Sequence, residues 1–262
     1  MEYRKENRLY LKSELIEKCD GVNHCFTSRL GGVSCGKISG LNLGFRVDDN
    51  PKSVKENYRI VADDMNFNLD NMVLAKQTHT DNIRIVTRED AGKGIAKVSD
   101  IEDTDGLLTK EKGIALVVFA ADCVPVLLYD PQREVAGAIH AGWRGTVKGI
   151  TGKAVTMMEK EYGSKPEGIV VTIGPSIGPC CFEFGNDAKN YFPEKYIKRI
   201  SDEKCLIDIW SMNKDQLLSQ GVLEKNIDLL GVCTVCNSDK FYSYRTHKEH
   251  TGRQTAIIEI KK

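Results

Sequence analysis

The sequence predicts a mixed α/β protein, and three observations carry that prediction. Residues 113–123 (GIALVVFAADC) and 124–130 (VPVLLYD) are near-continuous apolar runs, the pattern of strands buried on both faces. A third run, VAGAIH at 135–140, follows the turn DPQRE. From Thr146 the apolar period becomes helical, with Val147, Ile150, Ala154, Met158 and Tyr162 at helical spacing. Gly163 is placed to cap that helix. Strands and helices alternate only in part, so hairpins and crossovers are both expected.

The other elements follow in chain order. Residues 23–45 (NHCFTSRLGGVSCGKISGLNLGF) are dense in Gly, Ser and Asn and read as loop with short strands. NPKSVKENYRIVADDMN reads as a helix, with Pro51 in its first turn and Val54, Tyr58, Ile60 and Val61 near one face. MVLAKQTH (72–79) and NIRIVT (82–87) read as strands linked through Thr80 and Asp81. DTDGLLT is a turn entering a strand. GIVVTIG (168–174) is a further strand and SIGPCCFEFG a loop. FPEKYI and NKDQLLSQGV suggest helices, and SDKFYSYRTHKEHTGRQTAIIEI ends in a strand. No repeat, low-complexity tract or Pro/Ser-rich linker divides residues 1–262, so one domain is expected.

Composition narrows the function classes. Lys+Arg and Asp+Glu number 37 each, which gives no electrostatic footprint for nucleic acid but leaves room for a local anion pocket. The longest apolar run is broken by Asp122 and Pro125 and is too short to span a bilayer. The first residues are charged throughout, without a secretory apolar core. A cytoplasmic protein with no membrane partner is expected. Nine cysteines, an odd number, then read as thiols or metal ligands rather than disulfides.

Chemistry-bearing side chains gather at three strand ends: His79 in KQTH, Cys123 in AADC and His140 in AIHAGW. Their separations are unlike those of zinc fingers. Catalytic zinc, however, takes three His, Cys or carboxylate ligands and keeps a fourth position open. Strand ends on one edge of a sheet commonly supply such residues. Each has a plainer reading: Cys123 as core, His79 as a surface strand end, His140 as a hydrogen-bonded core histidine. Asp122 is less plain, because a carboxylate within an apolar run needs a partner or a function. Arg144 is expected just before a helix N-terminus, where backbone N–H groups favour an anion. Arg29 lies beside a glycine pair in SRLGGVS. CTVC (233–236) is a lone CxxC without the helix a redox motif opens. A closed metal site there needs two more ligands, for which Cys180 and Cys181 are candidates.

Taken together, HCFTSRLGGVS, NLGF, QTH, TDGLLT, ADCVPVLLYDP, HAGWRG, IGPSIGPCCFE and SYRTHKEHTGRQ span about 24–256. In that order they resemble the polyphenol oxidase/purine nucleoside phosphorylase family, also called peptidoglycan editing factor and laccase-like. The resemblance implies a single catalytic domain of α-β-β-α layers. It implies zinc held by His79, Cys123 and His140, with copper the less favoured metal. The implied activity is phosphorolysis of adenosine, inosine or methylthioadenosine, with adenosine deamination beside it. Purine nucleosides and phosphate are the implied partners. Asp122, Cys123 and His140 are then the candidate catalytic residues. Arg29, Asn42, Gln77 and Arg144 are the candidate substrate contacts. The chain departs from the family pattern at Thr78 and Thr246. Three rival readings stand beside this one. They are a Cys123–His140 amide hydrolase acting on wall precursors, a copper polyphenol oxidase, and a non-catalytic binding module. Five histidines are too few for a multicopper cluster.

Overall fold

The apolar runs form the centres of two six-stranded sheets packed face to face. The computed structural model describes all 262 residues. With strands numbered in chain order, the first sheet runs β1 (Glu2–Lys5), β2 (Arg8–Leu11), β3 (Val22–Thr27), β15 (Gln254–Ile260), β7 (Ala115–Ala120), β4 (Met72–Leu74). The second runs β14 (Ile227–Leu229), β10 (Val170–Ile173), β8 (Val124–Asp130), β9 (Val135–Ala141), β6 (Gly106–Thr109), β5 (Ile83–Ile85). A small third sheet orders β11 (Glu183–Gly185), β13 (Lys204–Ile207) and β12 (Ile197–Arg199). Both large sheets are mixed. The hairpin β8–β9 pairs Val126 with Ile139, and β15 pairs Ile257 with Cys25 on one side and Val117 on the other.

Period-2 alternation sorts these strands into layers. Leu116, Val118 and Ile258 of the first sheet meet Leu107, Leu127 and Ala138 of the second. Val117 and Ile257 point the other way, onto Val54, Tyr58, Val61 and Met65 of helix α2 (Pro51–Met65). Val126, Leu128 and Ile139 face outward from the second sheet. They lie under α4 (Ile150–Tyr162) and α5 (Ile209–Ser219), which bring Ile150, Ala154, Met158, Met212 and Leu217. The result is the expected α-β-β-α stack. A fully buried Val, Leu or Ile contributes about 1.5–3 kcal/mol, so burial on both faces makes the central strands the anchor of the fold. Two further short helices are α1 (Glu14–Glu17), whose Ile16 is buried in the core between the sheets, and α6 (Tyr244–His247).

Three local expectations are corrected. The strand expected at 72–79 stops at Leu74. Beyond it the backbone pairs with a loop instead, Lys76 N–H donating to Ile101 and Thr104 N–H to Lys76. The helix expected from Thr146 is two helices, α3 (Trp143–Val147) and α4, separated where Gly149 adopts φ +81°. FPEKYI gives only a 3₁₀ turn, Glu194–Tyr196, before β12 pairs with β13.

Candidate metal centre and its cavity

His79, Cys123 and His140 do converge. One ligand atom from each lies within 4.8 Å of the others. The two imidazole rings are 5.1 Å apart and nearly perpendicular, at 76°. His140 is on β9, opposite Pro125 of β8, while Cys123 sits in the bend between β7 and β8. His79 and Asp122 both have left-handed backbones, φ +65° and +89°. Strain of that kind in non-glycine residues persists only where the surroundings over-determine it.

Asp105 is what holds the arrangement. Its Oδ1 lies 2.6 Å from His140 Nδ1, which leaves Nε2 as the imidazole's free nitrogen. The same carboxylate accepts the N–H groups of Thr78, His79 and Thr80, and so shapes the segment carrying the other histidine. Asp105 is fully enclosed, and the hydrogen bonds and His140 hold its pKa below the usual carboxylate value although burial works against them. Residues of this kind fix tautomer and ring direction in metal-binding histidines.

Gly142 of HAGWRG explains its own glycine. Its φ is −63°, which any residue adopts. A Cβ there would stand 2.9 Å from His79 Cδ2, 3.4 Å from Cys123 Sγ and 3.5 Å from His140 Cε1. The glycine therefore makes room for the His79 ring, the one approach of the three that is closer than ordinary contact. Burial alone would push the Cys123 thiol up; the charge of His140 and hydrogen bonds from both histidines outweigh it and bring the pKa down. The sulfur is thus poised as thiolate, the form that binds metals. Two imidazoles and a thiolate suit zinc or copper and not magnesium or calcium.

The cluster opens into a cavity of about 620 Å³, within the range of small-molecule sites. Phe119, Ile177, Phe182 and Ile209 supply apolar wall. Arg46, Lys76, Arg144, Arg245 and Arg253 supply five cationic groups against one carboxylate, Asp122. That carboxylate is itself engaged, accepting the Thr234 hydroxyl and the Arg245 N–H, each at 2.6 Å. Its carbonyl accepts Ile177 N–H. Asp122 therefore ties two wall segments, at Ile177 and Arg245, to the turn that carries Thr234.

The other expected residues divide. Arg144 lines the cavity with its guanidinium 4.2 Å from the Trp143 ring centre. It lies within α3, not before a helix, and five residues make too short a helix to serve as an anion site. Gln77 also lines the cavity, but its amide is latched to the Phe119 backbone at both ends, 2.7 and 2.9 Å. Arg29 and Asn42, expected as substrate contacts, do not line the cavity. Arg29 stacks on Tyr242 and contacts Ser238 and His247. Asn42 is fully buried and organises a loop through Gly44, Asp49 and Arg253 N–H. Sequence reasoning did not single out Asp105 or Arg46. Asp105 left one trace, an acid just ahead of a buried strand, and Arg46 left none. Arg245 and Arg253 bound the basic stretch RTHKEHTGR, which reads from sequence as a solvated or substrate-facing loop; both line the cavity.

No helix is long and apolar enough to cross a membrane. Fold and site together define a layered α/β protein with a His–Cys–His cluster at a cationic small-molecule cavity. The chain belongs to the family described as multi-copper polyphenol oxidoreductase laccase, whose model matches residues 23–261. It is 35% identical to "Purine nucleoside phosphorylase YlmD" of Bacillus subtilis, over 90% of this chain and 87% of that one. It is 33% identical to a "Purine nucleoside phosphorylase" of Bacteroides thetaiotaomicron, over 98% of each. The crystal structure of YlmD from Geobacillus stearothermophilus superposes with a TM-score of 0.92 at 31% identity, covering 99% of this chain and 98% of that one.

Proposed function

We propose that this protein is a metal-dependent purine nucleoside phosphorylase acting on adenosine, inosine and methylthioadenosine. The observation that carries this reading is the cavity itself. It combines apolar wall for a flat base, five cations for an anion and the His–Cys–His cluster in one space. Phosphorolysis needs phosphate held near the ribose C1′ while the base leaves with a proton. Arg144 and Arg253 bind and orient the phosphate by charge-assisted hydrogen bonds. Phe119 and Phe182 exclude water beside the base.

His79, Cys123 and His140 would hold the metal, which we take to be zinc. When bound, zinc supplies a Lewis acid able to polarise a base nitrogen or a ribose hydroxyl. Asp122 remains the one wall carboxylate able to move a proton. Both its oxygens already accept hydrogen bonds, from the Thr234 hydroxyl and the Arg245 N–H. Adenosine deamination, which calls for a carboxylate that takes up and returns a proton, is therefore assigned as the secondary activity.

The test is product analysis with adenosine, with and without phosphate. Adenine that appears only with phosphate supports phosphorolysis. Inosine formed equally in both samples would make deamination the main reaction. No turnover by metal-loaded protein would overturn the nucleoside reading and turn attention to Cys123 as an amide-hydrolase nucleophile.

A further inference from the structure

A second cluster of metal-binding side chains lies outside the cavity. The loop after β10 brings Cys180 and Cys181, and the turn at 233–236 brings Cys233 and Cys236. One sulfur from each lies within 4.8 Å of the other three. Cys236 Sγ is 3.6 Å from Cys180 Sγ and 3.5 Å from Cys181 Sγ. Four thiolates at about 2.3 Å from a tetrahedral zinc are about 3.8 Å apart, so these sulfurs already sit close to that spacing.

Backbone hydrogen bonds fasten the two loops to each other. Ser176 N–H donates to Val232 and Thr234 N–H donates back to Ser176, at 3.1 and 3.0 Å. Gly178 N–H points at Cys233 Sγ from 3.3 Å, an arrangement that favours a thiolate. A Cβ on Gly178 would stand 3.2 Å from Cys180 Sγ and 2.9 Å from the Trp210 ring, so glycine is needed where the loop turns. Cys236 lies almost equally far from Cys180 and Cys181, which gives a disulfide no preferred partner. A four-ligand centre uses all four sulfurs.

We propose that Cys180, Cys181, Cys233 and Cys236 form a closed, structural zinc site, separate from the His79–Cys123–His140 cluster. Zinc would displace the thiol protons to solvent, with no change of oxidation state. With no position left for substrate, its role is mechanical. One of the two loops carries Ile177 and Phe182 of the cavity wall, and the other leads into Tyr244 and Arg245. The site would clamp these two wall segments together behind Asp122. This inference does not depend on the reaction the cavity performs.

The experiment is a zinc count by mass spectrometry on protein produced with zinc and kept reduced. Wild type should hold one zinc equivalent more than the Cys180→Ser/Cys236→Ser variant. Its cobalt(II) form should show the stronger absorption of a four-thiolate tetrahedral centre, beyond the single-thiolate band of the His79–Cys123–His140 cluster that the variant keeps. Equal zinc in wild type and variant would overturn the proposal. So would a wild-type mass lower by two hydrogens that returns on reduction, the mark of a disulfide. If the serine variant does not fold, His79→Ala/Cys123→Ser serves instead. It should keep one zinc equivalent, and a metal-free, folded protein would overturn the site.

Discussion

Asp105 and His140 grip each other twice. The carboxylate meets the ring at Nδ1, 2.6 Å away, and the Asp105 carbonyl accepts the His140 backbone N–H at 2.7 Å. Ring and strand are thus fixed by one residue. Asp105→Asn should lower metal affinity about 10- to 100-fold, because the amide cannot match the charge that orients the imidazole. Chelator competition measures this. Cys123→Ser should lose metal and activity together, and a fully active, metal-replete Cys123→Ser protein would remove Cys123 from the ligand set.

Gly142→Ala should fold normally, since φ −63° and ψ 162° suit alanine. Its added methyl must displace the His79 ring, and misplacement of a reacting-site group costs up to about a hundredfold in turnover. Thermal unfolding and metal content are measured together. Unchanged turnover with full metal content would show that the cluster tolerates the methyl and that the glycine has another cause.

Arg144→Ala should raise the KM for phosphate about tenfold or more, the worth of one charge-assisted hydrogen bond. Its guanidinium packs on Trp143 at the surface, so the melting temperature should move little. Initial rates against phosphate concentration decide the matter. An unchanged phosphate dependence takes Arg144 out of the anion site.

His24 provides a pH prediction away from the cavity. It is fully buried with Nε2 accepting the Ser13 N–H at 2.8 Å. Burial first, and the charge of Lys12 next, hold its pKa down at about 3. The unfolded chain titrates near 6.5, so between these values the unfolded state binds a proton the folded state refuses. Stability should therefore fall as pH drops below about 6.5. His24→Gln, which can still accept from Ser13, should flatten that slope by up to one proton. Denaturant melts at pH 7, 5.5 and 4.5 make the comparison; equal slopes would assign the acid sensitivity elsewhere.

The buried strands were readable because burial on both faces leaves a continuous apolar run, as in β7, β8 and β9. The three candidate ligands were readable for a related reason: polar residues stand out where such runs end. Asp105 was hidden because DTDG has the composition of any turn, and only the folded chain shows three N–H groups gathered on its carboxylate. Asn42 shows the opposite limit. A polar residue among glycines looks like a substrate contact, and only the folded chain shows its amide fastening Gly44, Asp49 and Arg253. The break in the helix after Thr146 depends on one left-handed glycine, Gly149, which the apolar period passes over. The cavity arginines lie in segments that meet only in three dimensions.

The place of β15 governs how the chain can be made. It is an inner strand of the first sheet, between β3 and β7, and Thr255 reaches Thr27 across 228 residues of sequence. A ribosome delivers β3 well before β15. Until residue 260 has left the exit tunnel, β3 and β7 each present an open apolar edge with no neighbour. Pairings so distant in sequence close slowly, and exposed edges invite association in the meantime. A chain truncated before β15 therefore cannot complete its first sheet, and its two unpaired inner edges stay open to association.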